Sequence, residues 1–219
     1  MAARTMGRVI ARLAPHAPAW RTTALAGVAA ETGQDPFRIL IACLLSLRTR
    51  DETTGPAAAR LFALASTPEG MLRLRPRRIE RAIFPVGFYR TKARGLRAVC
   101  RELMGRFAGR VPSDLDDLLS LPGVGRKTAN LVVTMGFGRP GICVDTHVHR
   151  ITNRLGFVET RTPDETEQAL RARLPRRHWI GLNDLLVAFG QNLCQPLSPR
   201  CSACPVAGLC HRVGVTRSR

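Results

Sequence analysis

The chain contains 34 basic residues, of which only two are lysines. One of them, Lys127, follows the glycine turn Pro122–Gly125 and stands at the start of a predicted helix. A lysine amine can give up its proton and attack carbon, whereas an arginine guanidinium stays protonated. Lys127 is therefore a candidate nucleophile. The alternative is a solvated residue in the first turn of a helix.

A second candidate for chemistry is Asp145, in the sequence Val-Asp-Thr-His at 144–147. Its carboxylate could stabilise positive charge that develops on a sugar during bond cleavage, and could afterwards carry protons. The competing interpretation is that Asp145 only caps the helix that runs through Val148 and Ile151. The sequence gives no distance between Asp145 and Lys127, so both interpretations stay open.

Four of the seven cysteines lie close together near the C-terminal end. Zinc ribbons use two separated Cys-x2-Cys pairs, and the outer spacings here do not match that pattern. Four thiolates on one compact loop suit a [4Fe–4S] cluster. The alternative, two disulfides, requires an oxidising compartment. The predicted ligands are Cys194, Cys201, Cys204 and Cys210.

The glycine turn joins two predicted helices, Asp114–Ser120 and Arg126–Met135. Gly123 and Gly125 permit positive φ and let a partner approach the backbone closely. The first N–H groups of the second helix, together with the helix dipole, then favour an anion. A plain turn between helices is the alternative, but a net charge of +18 favours binding of phosphate.

Composition limits the class of protein. The chain has 219 residues, of which 45% are hydrophobic and 23% charged, as in ordinary globular proteins. No apolar run approaches the roughly 20 residues that a membrane helix needs. A pI near 11.5 indicates a polyanionic partner. Nucleic acid is favoured over a membrane surface, because the arginines are spread along the whole chain rather than gathered on one amphipathic helix.

The N-terminal region is rich in arginine and superficially resembles a mitochondrial transit peptide. We prefer an amphipathic helix, because Val9, Ile10 and Leu13 fall on one face. No secretory signal peptide is recognised.

The remaining pattern is helical. An apolar stripe with helical spacing runs from Tyr89 to Phe107, and 36–47 reads as a buried helix. Proline after a hydroxyl residue marks helix starts, and no alternating strand is found. The sequence predicts an all-α protein of about ten helices. The predicted caps are Thr67, Ser113 with Asp116, and Thr162 with Glu165 in a capping box.

Together these segments resemble the endonuclease III family, the helix-hairpin-helix DNA glycosylases that remove oxidised pyrimidines. The resemblance covers nearly the whole chain, and its strongest segments are 85–92, 121–130, 144–150 and the cysteine spacing. It implies a six-helix barrel lobe at 29–139, with the helix-hairpin-helix at about 114–139. It also implies an iron–sulfur cluster lobe formed by 1–28 and 140–219, with DNA between the lobes.

The resemblance implies a bifunctional DNA glycosylase/AP lyase of base excision repair. Lys127 matches the family's Schiff-base lysine and Asp145 its catalytic aspartate. The four cysteines match the ligands of the [4Fe–4S] cluster. The residues that match the phosphate-binding hairpin are Gly123, Val124, Gly125 and Arg126. The implied partner is damaged double-stranded DNA bound by a monomer, in the cytoplasm and nucleoid if the source is a prokaryote.

The chain departs from the family's pattern at three further positions that we expect to contact DNA. Arg48 stands where glutamine is common, and Phe88 stands where an aliphatic wedge is common. Arg200 is the one basic residue between Cys194 and Cys201. For Phe88, packing in the core is the alternative. The rival functions are an adenine glycosylase of the mismatch-repair type, a non-catalytic DNA-binding protein and an electron-transfer protein.

Overall fold

A computed structural model describes residues 2–20 and 23–219 of the chain. Within these ranges the protein is built from twelve α-helices and short helical turns, and no strand is present. The predicted all-α class is confirmed, with two more helices than the sequence predicted. In chain order the helices are α1 (Ala2–Leu13), α2 (Ala24–Glu31), α3 (Pro36–Ser46), α4 (Asp51–Leu64), α5 (Pro68–Arg73), α6 (Pro76–Ile83), α7 (Tyr89–Arg106), α8 (Leu115–Leu119), α9 (Arg126–Leu131), α10 (Thr146–Arg154), α11 (Pro163–Arg173) and α12 (Trp179–Asn192).

One compact unit is formed by residues 24–139. Its central element is α3, in which eight of the nine residues from Phe37 to Leu45 are buried. Such a helix must be covered on most sides, and α2, α4, α7 and α9 pack against it. The buried face of α7 follows the predicted stripe, with Ala93, Leu96, Val99, Cys100 and Leu103 turned inward.

A second compact unit contains residues 140–219 and the described residues before 24. Its core is contributed by α1, α10, α11 and α12. Val9 and Leu13 of α1 are fully buried there, and Ile10 is partly buried against them. The amphipathic helix predicted near the N-terminus is therefore present. None of the described helices has the length and apolarity to cross a membrane.

The helix starts follow the predicted capping chemistry with one difference, at α8. The hydroxyl of Thr67 accepts from the N–H of Gly70 at 3.1 Å, and that of Thr162 accepts from Glu165 at 3.2 Å. The Glu165 carboxylate in turn accepts from the N–H of Arg161 at 2.8 Å and also from the N–H of Thr162, so the predicted capping box is present.

The cap of α8 is Asp114, not Ser113 with Asp116 as predicted. The Asp114 side chain accepts from the N–H groups of Asp116 and Asp117 at 2.8 and 3.3 Å. The predicted cap was wrong because a carboxylate one residue later can bond two N–H groups at once.

Candidate functional site

The turn between α8 and α9 leaves its glycine backbone open. Gly123 has φ +76°, a conformation that residues with side chains rarely adopt, and a Cβ built there or at Gly125 would meet nothing within 4 Å. Val124 differs, because its side chain is buried and its N–H bonds the carbonyl of Leu121 at 3.1 Å. Val124 therefore anchors the turn, and only its backbone can reach a partner.

The start of α9 is suited to an anion. Its N-cap, Gly125, has no side chain to occupy the first N–H groups, and Arg126 and Lys127 in the first turn are half-buried. The helix continues into a π-helical turn at Val132–Gly136, where a Cβ on Gly136 would lie 3.1 Å from Cα of Pro36. This close approach fixes the second helix of the hairpin against α3.

Asp145 is the N-cap of α10. Its Oδ1 accepts hydrogen bonds from the N–H groups of His147 at 2.9 Å and Val148 at 2.8 Å. Within the described ranges, no hydrogen bond is formed by Oδ2, and the side chain is half-buried. The capping interpretation is therefore correct for Oδ1. Oδ2 does not take part in the cap, so it can interact with a substrate.

Two arginines connect α10 with the loop that begins at Cys194. Arg150 donates to the Cys194 carbonyl at 2.8 Å. Arg154 is buried and donates to the Cys194 Sγ at 3.5 Å and to the Gln195 carbonyl at 2.7 Å. The Arg154 carbonyl in turn accepts from the Cys210 Sγ at 3.4 Å. The sequence pattern missed this role, although two arginines four residues apart on the helix after Asp145 could have indicated it.

The four clustered cysteines line one cavity, whose other walls are mostly apolar. All seven cysteines of the chain are free thiols, so the disulfide alternative is not realised. Burial raises the pKa of the Cys204 and Cys210 thiols, and the neighbouring cysteines act in the same direction. Charged thiolates would therefore need a cationic centre beside them in this cavity.

The donor set consists of four cysteines. Among the described residues, no group of three metal-binding side chains is arranged to hold a single ion. A [4Fe–4S] cubane bonds each thiolate to a different iron, so its ligands border a cavity instead of meeting at a point. Four cysteines around one largely apolar cavity have this arrangement.

Arg48 and Phe88 lie side by side on the surface of the first unit. The guanidinium carbon of Arg48 is 5.8 Å from the centroid of the Phe88 ring. Phe88 is 64% exposed and Arg48 is also exposed, so the alternative of Phe88 packing in the core is wrong. Arg200, in the second unit, is exposed as well, and the nearby Leu197 is 90% exposed.

Comparison with known proteins places these features in a family. Residues 41–176 match the family described as "HhH-GPD superfamily base excision DNA repair protein". Endonuclease III of Thermotoga maritima is 48% identical over 176 residues, which cover 80% of this chain and 83% of that protein. Endonuclease III of Bacillus subtilis is 37% identical over 186 residues, covering 84% of each chain. Endonuclease III homolog 1, chloroplastic, of Arabidopsis thaliana is 44% identical, and the match spans 48% of its length.

Solved structures give the same result. A trapped covalent intermediate of endonuclease III with DNA, an estranged-adenine complex, superposes with a TM-score of 0.77 and 39% identity, covering 81% of this chain and 84% of that chain. A thermostable thymine-DNA glycosylase has a TM-score of 0.82 over 94% of this chain and 95% of its own. Its identity is 23%, so that similarity concerns the fold alone. The predicted helix-hairpin-helix glycosylase fold is confirmed.

Proposed function

Since this chain belongs to the endonuclease III family of the HhH-GPD superfamily, we propose that Lys127 and Asp145 carry its chemistry. The protein is a DNA glycosylase with AP lyase activity in base excision repair, and damaged DNA is its partner. The observation that carries the assignment of Lys127 is its position two residues after Gly125, beside backbone that is open to an external phosphate.

Lys127 acts as the nucleophile in this proposal. Its neutral amine attacks C1′ of the deoxyribose, a C–N bond forms, and the glycosidic bond breaks as the base leaves with the electron pair. Opening of the sugar ring and loss of the amine proton give an imine. The imine makes a C2′ proton acidic, and its removal expels the 3′ phosphate by β-elimination. The strand is thereby cut and water releases the lysine.

Asp145 supports the charge that develops at C1′. Because Oδ1 is held by the N–H groups of His147 and Val148, the carboxylate has a fixed orientation. Oδ2 is then the oxygen that faces the sugar and carries protons after the base has left. A preoriented carboxylate needs little reorganisation during the reaction, which is the condition for strong stabilisation of charge.

The substrates we propose are oxidised pyrimidines in duplex DNA. An enzyme that acts on a base must first take it out of the stack, and this costs less for a damaged, poorly stacked base. The hairpin backbone at Gly123 and Gly125 holds a phosphate, while Arg126 supplies positive charge. Arg48 and Phe88 enter the space that the extruded base leaves, and Arg200 contacts the backbone of the DNA.

A [4Fe–4S] cluster is the cofactor we infer for the cysteine cavity. Cys194, Cys201, Cys204 and Cys210 would hold it, and its positive irons would balance the buried thiolates. When bound, it supplies structural support to the loop rather than a group that reacts with DNA. Arg154 holds the same loop through its bonds to Cys194 and Gln195.

Borohydride trapping tests the proposal. Reduction during turnover on a duplex with a thymine glycol is expected to give a covalent protein–DNA adduct, because hydride reduces the imine to a stable amine. Lys127→Ala is expected to give none. Lys127→Arg keeps the positive charge and so should bind DNA like the wild type, again without an adduct. An undiminished adduct yield in either variant would remove Lys127 as the nucleophile.

A further inference from the structure

Arg48 and Phe88 share an uncommon backbone conformation. Their φ angles are +52° and +57°, in the left-handed region that residues with side chains rarely occupy. Each such residue carries backbone strain, and neither side chain is buried to compensate for it. Something in the surrounding structure must therefore hold these two exposed residues in place.

The amine of Lys92, the only other lysine, binds both residues that flank Arg48 in the chain. Its Nζ donates to the carbonyl oxygens of Leu45 at 2.6 Å and Leu47 at 2.5 Å, and to Oγ1 of Thr49 at 3.0 Å. The three donors of an ammonium are thus matched by three acceptors. The two carbonyls belong to the end of α3 and the residue after it, where helix carbonyls lack partners and a positive charge is favoured.

Thr49 carries the connection from Lys92 to the segment before Phe88. The same Oγ1 accepts from the N–H of Gly87 at 3.2 Å. Gly87 also approaches so closely that a Cβ there would lie 2.7 Å from the carbonyl oxygen of Arg48. One hydroxyl and one close glycine contact therefore join the segment that carries Arg48 to the segment that carries Phe88.

A lysine suits this place better than an arginine does. Three acceptors converge on one point, which matches a compact ammonium and not a planar guanidinium. Burial lowers the pKa of Lys92 to about 8, so at neutral pH the amine still carries its proton and all three donors. In a chain whose basic residues are otherwise arginine, apart from Lys127, this choice follows from geometry.

We propose that Lys92 is a positioning residue that locks Arg48 and Phe88 together as a two-residue wedge for base extrusion. This inference rests on the proposed function. The wedge inserts where the damaged base leaves the stack, and a wedge held in advance needs no ordering during insertion. Loss of the lock should therefore slow the removal of a stacked base, and should spare cleavage at a site where no base remains to be extruded.

Four variants separate positioning from a general loss of stability. Lys92→Met removes the lock and keeps most of the side-chain volume. Arg97→Met is the matched control, because Arg97 lies on the same helix and binds the carbonyls of Leu72 and Leu74 at 2.7 and 2.5 Å, away from the wedge. Thr49→Val removes the shared hydroxyl at constant shape, and Thr49→Ser retains it.

Two rates are measured under single turnover with saturating enzyme. Lys92→Met and Thr49→Val are expected to slow thymine glycol excision about tenfold and to change cleavage of a preformed abasic site less than about twofold. Thr49→Ser and Arg97→Met should stay near the wild type in both rates. Equal slowing of both rates by Lys92→Met, or the same excision defect in Arg97→Met, would overturn the positioning role.

An optical assay keeps the test independent of catalysis. A duplex with an abasic-site analogue carries 2-aminopurine as the opposite base, whose fluorescence rises when the wedge unstacks it. At saturating protein, Lys92→Met and Thr49→Val should give a smaller rise than the wild type. The two proposals can fail separately. A wild type that binds the analogue but does not cleave abasic DNA would contradict the proposed function. The fluorescence comparison would still show whether Lys92 orders the wedge. An unchanged rise in both variants would contradict the lock.

Discussion

Gly190 of α12 lies directly against the ring of His147 in α10, so that a Cβ on Gly190 would overlap Nδ1 of His147. That nitrogen is also 3.1 Å from Nη2 of Arg150. The contact places α12 beside the first turn of the helix that Asp145 caps. The absence of a side chain at Gly190 is therefore a requirement of the site and not only of helix packing.

Gly190→Ala is expected to push His147 away and to disturb the N–H group that Asp145 binds. Overpacking of this kind costs about 1–3 kcal/mol in the free energy of unfolding, and we expect a fall in the excision rate beyond what instability explains. Thermal unfolding and single-turnover excision measure the two effects. Gly181→Ala is the control on the same helix, because a Cβ at Gly181 meets nothing within 4 Å. Alanine is more favourable than glycine in a helix by about 1 kcal/mol, so this variant should not be destabilised. Equal behaviour of both variants would show that the His147 contact is unimportant.

The two roles of Asp145 can be separated by substitution. Asn is as good a helix cap as Asp but carries no charge, so Asp145→Asn should retain stability and lose about a hundredfold in excision rate. Asp145→Ala should lose the activity and, in addition, about 1 kcal/mol of stability. Denaturant unfolding and glycosylase kinetics measure each effect. Full activity in Asp145→Asn would leave capping as its only role.

Arg48 is expected to read the base opposite the lesion. Its guanidinium can donate two hydrogen bonds to O6 and N7 of a guanine, and one such pair discriminates by about 1–3 kcal/mol. The wild type should therefore prefer lesions opposite guanine, and Arg48→Gln should reduce that preference about tenfold. The measurement is a panel of thymine glycol duplexes with each of the four opposite bases. An identical order of preference in both proteins would contradict this role.

Removing a cluster ligand tests the cofactor directly. Purified wild-type protein is expected to contain about four irons and about four acid-labile sulfides per chain. Cys204→Ala should lower the iron and sulfide contents. It should also reduce the melting temperature, because the loop would keep its bonds to Arg154 but lose the support of the cluster. Cys100→Ala removes a buried thiol of the other unit and should leave the iron content unchanged. Full iron in Cys204→Ala would show that this cysteine is not a ligand.

Local chemistry in the sequence predicted much of the fold. The stripe between Tyr89 and Phe107 gave α7, the apolar run after Pro36 gave α3, and Thr162 caps α11 as expected. These features depend on residues a few positions apart, so spacing alone reveals them. The predicted cap of α8 was wrong because Ser113 and Asp114 are both residue types that cap helices, and the backbone geometry decides between them.

The supporting contacts of the candidate site could not be predicted in the same way. Lys92 binds groups more than forty residues away, and Arg154 binds a loop at a similar separation. The left-handed backbone at Arg48 and Phe88 could not be predicted either, since nothing in either residue type favours it. The scarcity of lysine drew attention to Lys127 in the sequence, and the same signal at Lys92 was not used. The catalytic roles and the lobe boundaries stay predictions.

Helix α10 begins at the carboxylate of Asp145 and ends at Arg154, which is bonded to the cysteine loop. Nine residues at about 1.5 Å each make a rigid rod of roughly 14 Å between them. A hydrogen-bonded helix of this length bends little, so a shift of one end is carried to the other. If oxidation displaced the cysteine loop, α10 would consequently move and shift the carboxylate of Asp145, although the residues around Asp145 were unchanged.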